Sequence, residues 1–209
     1  MNKMLIFIGF AMMNSFAMAA DFQEGKQFHV ISPPPPLGSG NSVVVEQFFT
    51  YASPHCYKLE PELKSWLEKK SPEGLEYSRV PAMFGGAATL HAKAFYALEI
   101  VGEGERLHEL LFRAINDEHK RLNNPQTLEA FLEENKVDMD KYRAAFASFT
   151  IQTKANRTAA LMRRYSIRSV PALVVDGRYR VNNSAEVIQV LDYLISKVKE
   201  DRKATTDTK

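Results

Sequence analysis

The sequence predicts an α/β fold in which a small sheet domain is interrupted by an inserted all-helical domain. Three observations predict it. The β-branched and aromatic run VVVEQFF, Val43 to Phe49, leads directly into a helix-start signal. From Ala87 to about Met162 the chain carries only helical periodicity. Beyond that block, SVPALVVDGRYRV returns to strand character, and a final amphipathic segment follows. The order is therefore β-α-β, a run of helices, then β-β-α, with no internal repeat.

The chain has 209 residues, 45% hydrophobic and 25% charged, which is enough apolar material for one domain carrying an insertion. The formal net charge is only +2, and no basic stretch is interleaved with aromatics, so nothing points to a nucleic-acid partner. Residues 1–19 read as a secretory signal peptide: Lys3 supplies the positive start, Met4 to Met13 is apolar, and Ala17-Met18-Ala19 fits the small-x-small cleavage rule. The apolar run is too short to span a bilayer, and no later segment is apolar enough, so the mature chain is expected not to cross a membrane.

The elements follow in order. Asp21 to Ile31 is polar and extended, and Pro33 to Pro36 is expected to hold polyproline II. Leu37 to Ser42 is a turn region. Val43 to Phe49 has the continuous apolar character of a strand buried on both faces. Ser53-Pro54 then offers a hydroxyl for the N-cap and a proline at the first helical position. Leu59, Leu63, Trp66 and Leu67 recur at helical spacing, so a helix is predicted to about Lys70. Pro72-Glu73-Gly74 marks a turn and Leu75 to Val80 a second strand. The helical block is punctuated at Gly102, Gly104, Asn123 to Pro125 and Asn135 to Asp138. Its aromatics, Phe95, Tyr96, Phe112, Phe131, Phe146 and Phe149, are expected to form its core. Glu129, Glu133 and Glu134 are read as a solvated helix face. Asp176-Gly177 predicts a tight hairpin turn. Ala185 to Val198 is the last helix, and Lys199 to Lys209 is read as a loose charged end.

The candidate site is YASPHCYKLEP, Tyr51 to Pro61. Cys56 is the only cysteine, an odd number for an exported chain, so it is either buried and inert or meets a sulfur on another molecule. Ser53 with His55 is a poor hydrolase pair, because no nucleophile elbow surrounds the serine. Cys56 and the scattered His29, His91, His108 and His119 lack zinc-ligand spacing, and Gly85-Gly86 is no phosphate loop. No metal and no cofactor is expected.

FFTYASPHCYKLEP resembles the active-site segment of DsbA-type thiol:disulfide interchange proteins, and Arg168-Ser169-Val170-Pro171-Ala172 resembles that family's cis-proline loop. The resemblance covers nearly all the mature chain. It implies a thioredoxin-like fold at 20–86 and 151–200, a helical insertion at 87–150, a flexible tail at 201–209, and a periplasmic location. It implies unfolded or extended cysteine-containing polypeptides as partners, with a redox partner in the membrane. The family's Cys-Pro-His-Cys motif falls on Ser53, Pro54, His55 and Cys56, with Val170 and Pro171 on the substrate side. A thiolate at the first position would be stabilised by free helix N–H groups and the helix dipole. Serine there cannot accept a disulfide, so the two-cysteine cycle is disabled as written. Two alternatives share the scaffold: a redox-silent peptide-binding chaperone or adaptor, and a monothiol acting through Cys56. The family also carries an acid six residues before its first cysteine. Here that position is Gln47, while strand alternation turns Glu46 to the opposite face unless a bulge intervenes.

Overall fold

The computed structural model describes residues 22–37, 42–69, 74–182 and 185–206. The segment read as a signal peptide, the stretches read as turns at Gly38 to Asn41 and before Gly74, residues 183–184 and the last three residues lie outside them. In chain order the elements are β1 (Phe28–Val30), β2 (Val43–Phe49), α1 (Pro54–Lys69), β3 (Leu75–Pro81), α2 (Gly86–Ile100), α3 (Gly104–Asn116), α4 (Pro125–Glu134), α5 (Met139–Phe146), α6 (Phe149–Arg164), β4 (Ala172–Val175), β5 (Tyr179–Val181) and α7 (Val187–Thr206).

The strands form one five-stranded sheet in the order β1-β5-β4-β2-β3. Strand β2 pairs parallel to β3 through the α1 crossover and antiparallel to β4. The pairing of β2 with β3 runs without a bulge from Val43↔Leu75 to Phe49↔Pro81. Alternation along β2 therefore holds, and it feeds two cores. Val43 and Val45 pack with Leu63 and Trp66 of α1 and Val190, Leu191 and Leu194 of α7. Phe48 packs on the other face with Tyr165, Ile167 and Val174. Trp66 donates its indole N–H to Asp192 at 2.8 Å, which sets α1 against α7.

Helices α2 to α5 bury their own core, with Leu98, Leu107, Phe112, Leu128 and Leu132 almost inaccessible, and that core runs on into Phe49, Tyr51 and Cys56. Phe149 departs from the expected aromatic core and is 84% exposed. It opens α6, whose buried stripe is Ile151, Ala155 and Thr158. At 100° per residue Phe149 stands about 200° from Ile151, on the solvent side. Glu129 is also less free than expected, since Arg143 binds it at 2.7 Å.

The predicted hairpin forms with Asp176 (φ 55°) and Gly177 (φ 63°) both left-handed, and Arg178 N–H returns to Val175 O at 3.0 Å. A Cβ on Gly177 would stand 3.2 Å from the Tyr165 hydroxyl, a tight contact added to a left-handed φ that glycine adopts most readily. Two further details differ from the sequence reading. The Ser32-Pro33 peptide is cis within the proline run. Helix α7 continues beyond Val198 to Thr206. The reason is local: Arg202 reaches back to Asp176 at 2.6 Å and to Ser42 O at 2.9 Å, so this charged end is anchored.

Candidate functional site

The site is built where β2 ends and α1 begins. Ser53 N–H bonds to Thr50 O at 3.1 Å, closing a turn. The Ser53 hydroxyl then accepts Cys56 N–H at 3.2 Å, and Pro54 occupies the first helical position. This is the predicted N-cap, and it satisfies one of the helix's unpaired donors. Pro54 and His55 are exposed, Ser53 is half-buried and Cys56 has no accessible surface. Burial pushes the Cys56 thiol up, the Ser53 and Thr50 hydrogen bonds oppose that, and the nearby Glu60 carboxylate adds to it. The net direction is upward, which keeps Cys56 in its unreactive thiol form.

The Val170-Pro171 peptide is cis. Phe48 of β2 stands opposite Ala172 of β4, so Val170 and Pro171 lie at the same end of the sheet as the start of α1. Val170 packs against the cluster that holds Cys56 and Tyr51. The structure thus sets the Ser53 to Cys56 turn and the Val170-Pro171 peptide at the same end of the sheet, with Val170 packed against the cluster that includes Cys56.

Beneath them lies a polar network that residue patterns did not expose. Gln47 is fully buried on the α1 side of β2 and donates to Glu60 Oε1 at 2.6 Å, while the Tyr77 hydroxyl donates to Gln47 Oε1. His108 of α3 places Nε2 3.2 Å from Glu60 Oε2 and Nδ1 3.1 Å from the Tyr51 hydroxyl. Both ring nitrogens are thus partnered: Nε2–H can donate to the carboxylate, and Nδ1 pairs with the Tyr51 hydroxyl. Arg79 Nε is 3.6 Å from Glu60, and its Nη1 binds Glu105 at 2.7 Å. Burial alone would raise the Glu60 carboxyl, but the bond and charge of His108, the Gln47 amide and Arg79 outweigh it and hold the group below its ordinary value. Glu46 points away from this network, is raised by burial, and has Tyr165 as its hydrogen-bond partner. The one sequence signal that could have found Glu60 is its place one helical turn after Cys56, on the helix face that Leu59 and Leu63 already mark as inward. Among the described residues no cluster of His, Cys, Asp or Glu could hold a metal ion, and no helix is long and apolar enough to cross a membrane.

A parallel β-α-β unit, an antiparallel hairpin behind a cis proline and a helical insertion between them define a thioredoxin-type scaffold. The chain belongs to the DsbA family. The family model described as "DSBA-like thioredoxin domain" matches residues 67–195, a span that starts downstream of Ser53 to Cys56. The thiol:disulfide interchange protein DsbA of Pseudomonas aeruginosa is 34% identical over 205 residues, covering 94% of this chain and 97% of the relative. That of Burkholderia cepacia is 33% identical over 208 residues, covering 97% and 98%. The crystal structure of P. aeruginosa DsbA matches with a TM-score of 0.81 at 33% identity, over 88% of this chain and 98% of that one. Reduced DsbA1 of Neisseria meningitidis matches with a TM-score of 0.76 at 26% identity, over 88% of this chain and 99% of that one.

Proposed function

We propose that this chain is an exported, periplasmic member of the DsbA family that holds unfolded or extended cysteine-containing polypeptides without running the two-cysteine redox cycle. In this reading 20–86 and 151–200 form the thioredoxin-like part, 87–150 the helical insertion, and Val170 and Pro171 the edge against which the polypeptide lies. The observation that carries it is the pair Ser53 and Cys56. The family's attacking position holds a hydroxyl that caps the helix, and the single sulfur is sealed beneath it. A thiolate must be present and exposed to attack a disulfide, so the monothiol alternative is the least favoured. Gln47 supports natural divergence, because it stands where the family keeps an acid and is integrated into the network around Glu60.

Disulfide exchange by two cysteines needs one sulfur to attack and a second to resolve the mixed disulfide. Cys56 occupies the resolving position, one turn into α1, and has no partner in the chain. What remains usable is the exposed rim of Pro54 and His55, at the same end of the sheet as the cis-proline loop. The test is suppression of aggregation of a reduced, unfolded protein by the parent chain and by Cys56→Ala. Equal suppression by both supports redox-silent binding. Loss of suppression in Cys56→Ala, together with a mass gain of the parent in oxidised glutathione, would overturn it in favour of a monothiol.

A further inference from the structure

We infer that the cavity on the α6 side of the Val170-Pro171 loop is an anion subsite that receives an acidic side chain of the bound polypeptide. This rests on the reading that an extended chain lies along that loop. The cavity measures about 320 Å³, and its lining includes Ser166, Arg168, Ser169, Pro171, Arg180 and Asn182. None of its lining residues is acidic.

The two arginines have different parts. Helix α6 ends in a left-handed Ser166 (φ 51°), and its last carbonyls turn toward β5. Arg180 Nη1 donates to Tyr165 O at 3.2 Å and to Ser166 O at 2.8 Å, which holds the half-buried guanidinium in place. A guanidinium has five N–H donors, and these bonds use only those of Nη1. Arg168 is exposed and has no carboxylate partner among the described residues. The surroundings reinforce the sign. From Lys154 to Arg180 the chain carries seven Lys and Arg residues against one acid, Asp176, which is itself bound to Arg202 at 2.6 Å. Of these seven, Arg168 and Arg180 line the cavity itself.

Position makes the cavity relevant to the site. Ala172 stands opposite Phe48 of β2, and Leu173 stands opposite Val181 of β5. Pro171 therefore separates the start of α1 on one side from the cavity on the other. A polypeptide lying on Val170 and Pro171 passes both, so a carboxylate next to its docked segment meets the held guanidinium of Arg180 and the exposed one of Arg168. Arginine pairs with carboxylate bidentately, which favours Asp or Glu over other polar side chains. A lipid headgroup shares the anionic chemistry, but a concave cavity flanked by the cis-proline loop suits a side chain better than a flat membrane surface.

The test is fluorescence anisotropy with two unstructured, alkylated peptides that differ only in Glu against Gln. Parent, Arg168→Gln and Arg168→Glu are compared, with vesicles of phosphatidylglycerol alongside. Arg168 makes no contact that the fold relies on, so these variants stay folded, and circular dichroism checks that they do. The expected result is binding of the Glu peptide on the order of tenfold tighter than the Gln peptide at physiological salt. Arg168→Gln should weaken that preference and Arg168→Glu should remove it. Equal binding of the two peptides by the parent overturns this inference alone. Binding of neither overturns the peptide-holding function as well. Vesicle binding that depends on Arg168 without any peptide preference overturns it in favour of a membrane contact.

Discussion

Replacing Gln47 by glutamate would put a second carboxylate about 2.6 Å from Glu60 Oε1, at a position with no accessible surface. Two costs follow. The amide hydrogen bond to a charged acceptor is lost, which is worth about 1.5–3 kcal/mol. The two carboxylates also repel, so one of them is kept protonated. Arg79, 3.6 Å from Glu60, offsets part of the repulsion. The net destabilisation is about 3 kcal/mol at pH 7, or roughly 6–12 °C in Tm for a chain of this size. The pH dependence fixes the sign. In the parent, Glu60 is held below its ordinary value of 4.5, so its contribution is present above that value and fades as the pH falls through the lowered one. In Gln47→Glu the shared proton gives one carboxyl a raised value, so the cost is absent at low pH and grows as the pH rises through the ordinary range. Thermal unfolding of parent and variant between pH 4.5 and pH 8 reads both effects. The gap should be widest at pH 7–8 and close toward pH 4.5. A difference under about 2 °C at pH 7, or a gap that does not narrow in acid, refutes the coupling of Gln47 to Glu60.

Other expectations are simpler. Ser53→Ala removes the N-cap acceptor of Cys56 N–H and should cost about 1 kcal/mol by chemical denaturation, with Ser53→Gly costing less. Cys56 should be alkylated by a neutral maleimide at least about tenfold more slowly in the native chain than in urea, and raising the pH from 7 to 9 should speed the native reaction. Tyr51→Phe leaves His108 Nδ1 unpartnered in the core and should cost about 1–3 kcal/mol in equilibrium unfolding. Arg202→Ala strands a buried Asp176 carboxylate and should lower stability by about 3 kcal/mol, a larger loss than an exposed ion pair would give.

Much of the fold was legible because it rests on local rules. The β2 run, the Ser53-Pro54 helix start, the Asp176-Gly177 turn and the punctuation between α2 and α5 each state their structure within a few residues. The Ser53 N-cap and the cis Val170-Pro171 peptide were legible for the same reason, since both are compact signals. The floor of the site was not. Gln47, Glu60, Tyr77, Arg79 and His108 come from four elements, and a buried polar group looks like a surface one until its partners are placed. Phe149 and the end of α7 were misread for a related reason. Hydrophobicity alone did not reveal that Phe149 falls outside the buried stripe, and charge alone did not reveal that Arg202 has an anchor.

His108 belongs to the helical block, yet both of its ring nitrogens bond to groups outside it: Tyr51 after β2 and Glu60 on α1. Asn116, near the end of the same helix, adds a bond to the Tyr51 carbonyl at 2.9 Å. The consequence is that α3 is tied to the site by three polar bonds. Opening the helical block away from the sheet would leave an imidazole and a phenol without their partners and take one partner from the Glu60 carboxylate, so amides of α3 and β2 should exchange with deuterium as one cooperative unit. A guest that tightens the cis-proline edge would then be felt in the protection of helices it never touches.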